Sequence, residues 1–108
     1  MSNITEREKS FENKYANDQQ TQFRVEARCS KLVGLWAADE MDLGDGATKL
    51  SYAKEVVEAN LEEPGFDDVV RKVKNDFENK KIDISDHIIN EKIKECFEMA
   101  KNQIMQEA

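Results

Sequence analysis

The sequence predicts an all-α protein, a four-helix bundle with a flexible N-terminal arm. Four observations predict it. In residues 11–38, Val25, Cys29, Leu32 and Trp36 recur at i, i+4, i+7 and i+11, one face of a helix. No Pro or Gly interrupts that stretch before Gly34, so it reads as one continuous helical run. Elsewhere the single Pro and the remaining Gly gather at residues 44–46 and 64–65, where they punctuate further apolar runs of helical period. Finally, residues 1–19 hold only Ile4, Phe11 and Tyr15 as large apolar groups. That is too little apolar surface to offset an ordering cost of about 1–2 kcal/mol per residue.

The elements follow in order. Residues 1–19 form the arm, frayed or disordered when alone and helical once a partner covers the Ile4, Phe11, Tyr15 stripe; Glu6 and Lys9 can pair along it. The first bundle helix spans about 20–42, with Phe23, Val25, Cys29, Leu32, Val33, Leu35 and Trp36 as its buried face and Trp36 as a core plug. The glycines of residues 43–46 supply its left-handed cap and the chain reversal. The second spans about 47–62, capped by Asp45 or Thr48, with Leu50, Ala53, Val57 and Leu61 inward and Tyr52 and Val56 on a shoulder. Pro64 and Gly65 end it.

The third spans about 66–80 on Phe66, Val69, Val70, Val73 and Phe77, with Asp67 and Asp68 at its positive end. The fourth spans about 85–106. Ser85 is its N-cap, Ile84 can staple to Ile89, and Ile89, Ile93, Cys96, Phe97, Ala100 and Ile104 hold one face. Two long and two short helices pack most economically with the first and last side by side. Residues 20–108 thus make one domain, and the free chain is expected to be a monomer.

Charge and chemistry exclude more than they suggest. Sixteen basic against 23 acidic residues give a net charge of −7, which disfavours a polyanionic partner, since nucleic-acid affinity comes from Lys and Arg displacing counterions. No apolar run is long enough to span a bilayer, so no direct membrane insertion is expected. Residues 1–14 lack the apolar region of a secretion signal. Cys29 and Cys96 sit on core stripes without CxxC spacing, as buried free thiols of a reducing compartment would.

His87 is the only histidine, so neither a triad nor a zinc site can be assembled around it, and it reads as a solvated first-turn residue. The acidic pairs Glu62, Glu63 and Asp67, Asp68 lack an apolar bracket that would tune them for acid–base work. Asp39, Asp42 and Asp45 fit no frame of a calcium loop. No metal, cofactor or catalytic residue is expected, and the chain reads as an interaction protein rather than an enzyme. One alternative stays open: Gly44, Gly46, Thr48 and Lys49, at the start of the second helix, could hold a nucleotide or other anion.

Residues 11–38, FENKYANDQQTQFRVEARCSKLVGLWAA, carry more than periodicity. Phe11, Glu12, Lys14, Tyr15, Ala16 and Asp18, then Lys31, Leu32, Gly34, Leu35, Trp36 and Ala37, closely resemble the opening of the alphaproteobacterial zeta-subunit inhibitors of the F-type ATP synthase. The resemblance continues through residues 51–77, with Pro64, Gly65 and residues 67–74 as a second anchor, and weakens after Glu78. It implies a four-helix body whose arm folds as a helix into a catalytic interface of the enzyme's head and blocks rotation in the hydrolytic direction. Phe11 and Tyr15 would then be apolar anchors, extended by Ile4. Glu6, Arg7, Lys9, Glu12, Lys14 and Asp18 would meet the charged rim of the groove. It also implies a cytoplasmic protein, peripheral to the inner membrane through the ATP synthase. The arm holds no histidine, which argues against a pH switch there.

Overall fold

A computed structural model describes residues 13, 15–61 and 65–107. Four helices follow one another: α1 (Gln19–Glu40), α2 (Gly46–Leu61), α3 (Asp67–Asn79) and α4 (Asp86–Glu107). No strand occurs among the described residues. Every boundary lies within two residues of the one read from the sequence. The expected caps are in place: the Asp45 carboxylate accepts from Thr48 N–H at 2.9 Å, and Ser85 Oγ accepts from Ile88 N–H at 3.3 Å.

Helix α1 is the spine. It packs on α4, as expected, but more extensively on α2, while α3 closes the far side against α2 and α4. The intimacy of α1 and α2 comes from Gly34: a Cβ there would lie 2.7 Å from Ala53 Cα and 3.2 Å from Val56 Cβ. The core is built from Val25, Cys29, Val33 and Ala37 of α1, Val56 of α2, Val69, Val73 and Phe77 of α3, and Ile89, Ile93, Cys96, Ala100 and Ile104 of α4. Trp36 is only partly buried. It meets Phe77 edge-to-face at 5.6 Å and carries Lys92 over its other side. Both cysteines are buried and free.

Four expectations need correcting. The run from residue 11 to 38 is not one helix. Asp18 takes an extended conformation (φ −119°, ψ 106°), and its carboxylate accepts from Gln20 and Thr21 N–H, so α1 starts anew there. The second concerns α2, which is rotated from its expected phase. Tyr52, Ala53, Val56 and Asn60 face inward, whereas Leu50 and Leu61 are 47% and 53% exposed. Two apolar stripes overlap on this helix; the Gly34–Ala53 approach and a 2.7 Å hydrogen bond from Tyr52 Oη to Asp76 choose between them. Third, Phe23 is 56% exposed instead of buried, because it lies at the outer edge of the α1 stripe.

The last correction is at the end of α1. The left-handed residue closing it is Asp42 (φ 51°), not a glycine. Leu43 N–H bonds back to Ala38 O and Asp42 N–H to Asp39 O, a Schellman closure. Gly44 (φ 105°) follows and makes the reversal toward α2.

Candidate functional site

The junction where residues 15–18 meet the body lies just downstream of most of the expected arm. Residues 15–17 are helical and turn off from α1 at Asp18. Two side chains hold this turn. Gln22 Nε2 donates to Tyr15 O at 2.8 Å and to Ala16 O at 3.3 Å, satisfying carbonyls that the helix break leaves unpaired. Asn17 Nδ2 donates to Asn13 O at 2.9 Å.

The half-buried Tyr15 ring meets Phe97 of α4 edge-to-face at 5.9 Å, and Phe97 meets Phe66 in the same way at 6.1 Å. Lys101 Nζ stands 5.7 Å from the Tyr15 ring and 5.9 Å from that of Phe97. The junction is therefore a small aromatic stack with a cation over it, favourable in both the ring contacts and the cation–π geometry. It brings Tyr15 and Asp18 together with Gln22, Phe97 and Lys101. Sequence reading missed those three, because they matter only once α4 lies beside the start of α1. Ile4, Glu6, Arg7, Lys9, Phe11, Glu12 and Lys14 lie outside the described residues.

The turn before α2 holds the other candidate residues. Gly44, Gly46, Thr48 and Lys49 do come together there, but the donors an anion would use are already engaged. The Asp45 carboxylate takes Thr48 N–H, and this bond holds its pKa below the ordinary 3.8. Lys49 Nζ pairs with Asp39 at 2.9 Å, which raises the lysine's pKa. A carboxylate whose folded pKa is lowered contributes stability above pH 3.8 that is lost as the pH falls through the folded value. Asp45→Ala is accordingly expected to destabilise the protein at pH 7 and to make little difference in strong acid. Urea unfolding followed by circular dichroism at both pH values checks this.

The remaining titratable groups point to no chemistry. Burial pushes the Cys29 thiol up to about 12, with neighbouring Cys96 and Glu26 adding to the effect. Burial likewise raises Cys96. Burial thus keeps both thiols away from the reactive thiolate form at neutral pH. His87 is exposed on the first turn of α4. Among the described residues no group of three or more His, Cys, Asp or Glu could hold a metal ion. No helix among them is long and apolar enough to cross a membrane.

A comparison with curated proteins finds no match. The pattern that defines a family described as ATPase inhibitor subunit zeta, by contrast, matches residues 1–103, spanning the arm, the aromatic junction and nearly all of the four-helix body. This chain belongs to the ATPase inhibitor subunit zeta family.

Proposed function

We propose that the protein inhibits ATP hydrolysis by the F-type ATP synthase, with residues 1–19 entering a catalytic interface of the enzyme's head as a helix and stopping rotation. The family is one of inhibitor subunits, regulatory proteins rather than enzymes. The observation that carries the division of labour is the placement of the core. Among the described residues every buried one lies at Thr21 or beyond, with Tyr15 packed in part against that core, which supports reading the body as separate from the segment assigned to the target. Coupled folding of an amphipathic segment into a groove suits such a segment, because its ordering cost is met by the target's surface. On this reading the protein works in the cytoplasm, bound at the periphery of the inner membrane through its enzyme, and is a monomer when free.

Tyr15 has two claims on it in this scheme. In the free chain its ring lies on Phe97, and as an anchor for the target it must leave. The junction then acts as a catch between the body and the inhibitory segment.

The test is steady-state ATP hydrolysis by the purified soluble head, with the full chain or with a chain lacking residues 1–14. That deletion leaves Tyr15 on Phe97 and Asp18 capping α1, so the helical circular dichroism should persist. The full chain should stop hydrolysis at about one copy per head, and the shortened chain should not. Undiminished hydrolysis at a large excess of the full chain would overturn the proposal.

A further inference from the structure

Helix α1 packs on both α2 and α4, and two hollows that share Lys31 and Val57 form a trough along it. At one end is an open cavity of about 650 Å³, whose lining includes Leu50, Lys54 and Val57 of α2 and Lys31 of α1. Lys31 and Val57 also line the next hollow, where Phe23 and Ala27 continue the apolar floor and Ile104 of α4 forms the far wall. Gly34 faces Ala53, so Leu50 and Phe23 lie about 20 Å apart along the axis, the length of nearly four helical turns. Leu50 and Phe23 are two of the most exposed large apolar side chains among the described residues.

The described residues that line this trough carry the charge opposite to that of the chain. The protein carries a net −7, yet among the described residues Glu58 is the only acidic one lining the large cavity. Lys31 and Lys54 are exposed there and form no ion pair with a described residue. At the other end Arg24 and Arg28 share one carboxylate, that of Glu107, at 3.4 and 2.8 Å. An apolar floor flanked by four described cations against the two carboxylates of Glu58 and Glu107 suits an amphipathic helix with acidic flanks.

The chain's own residues 1–12 fit less well, having two basic side chains for three acidic ones. The described chain also approaches them from the Phe97 side of α4. We propose that this trough docks an acidic amphipathic helix of the ATP synthase head, a second attachment point separate from the inhibitory segment. The proposal rests on the function proposed above.

The experiment compares the full chain with the double variant Lys31→Glu, Lys54→Glu, both sites being exposed and clear of the core. Binding to the soluble head is measured by fluorescence anisotropy at low and high salt, beside hydrolysis at saturating protein. The variant should bind about tenfold more weakly at low salt, lose most of its salt dependence, and still stop hydrolysis completely when saturating. Equal affinity of the two proteins, with inhibition intact, overturns the docking site alone. Failure of the wild-type chain to bind or inhibit overturns both readings. Sedimentation showing a wild-type dimer that the variant abolishes overturns the proposal in favour of a second copy as the occupant.

Discussion

Gly34→Ala should lower the stability of this protein by about 2 kcal/mol, although alanine is the better helix former. Helix propensity alone favours alanine over glycine by about 1 kcal/mol in a helix interior. Packing opposes it: the added Cβ would stand 2.7 Å from Ala53 Cα, well inside ordinary contact. The obstructing atom is backbone, so no rotamer change relieves it, and α1 and α2 must separate along their whole interface. Overpacking of this kind costs about 1–3 kcal/mol, and the rigidity of the obstruction places this site near the upper end. A net loss of about 2 kcal/mol corresponds to a drop in Tm of about 10 °C in a domain of this size. Ala53→Gly should not rescue the variant, since it leaves the Cα where it is. A Tm unchanged or raised by Gly34→Ala would show that the helices do not meet so closely.

The second large effect is expected at the aromatic junction, where two residues of one contact should act in opposite directions. Tyr15→Ala removes a proposed anchor, and buried aromatic anchors commonly cost 2 kcal/mol or more when truncated, so inhibition should weaken by about tenfold or more. Phe97→Leu keeps an apolar group in the partly buried site against the core but removes the edge-to-face partner of Tyr15. Such a pair contributes about 0.5–1.5 kcal/mol, which the target no longer has to overcome, so inhibition should strengthen by about two- to tenfold. Both variants should melt somewhat earlier than the parent. The concentration giving half-maximal inhibition, measured beside thermal unfolding, separates the two signs. Weakening by both substitutions would mean that Tyr15 acts on the target from its seat on Phe97.

The helices were legible because punctuation and period agree. Asp45, Ser85 and the turn glycines mark ends, and α3 and α4 each carry one dominant apolar stripe. Helix α2 was not, because Leu50, Val57 and Leu61 make as good a stripe as Tyr52, Val56 and Asn60. What decides between them is a glycine on another helix and a tyrosine hydroxyl seeking Asp76, neither visible in the period of α2 itself. The same limit explains Phe97. Its sequence signal is that of an ordinary core residue, and only the fold brings it beneath Tyr15. Asp18 did carry a readable sign, a capping residue just ahead of the apolar stretch, but the helix-tolerant residues around it obscured the interruption.

That interruption bears on how freely the two parts can change. Helix α1 has its own start at Asp18, so its first turn is closed by a cap within the described chain rather than by a helix continuing from upstream. On the function proposed above, Tyr15, whose ring touches α4, is then the described residue at which the two parts constrain each other. If the proposed function holds, specificity and foldedness rest on separate stretches of chain, and a designer could retune one while leaving the other alone.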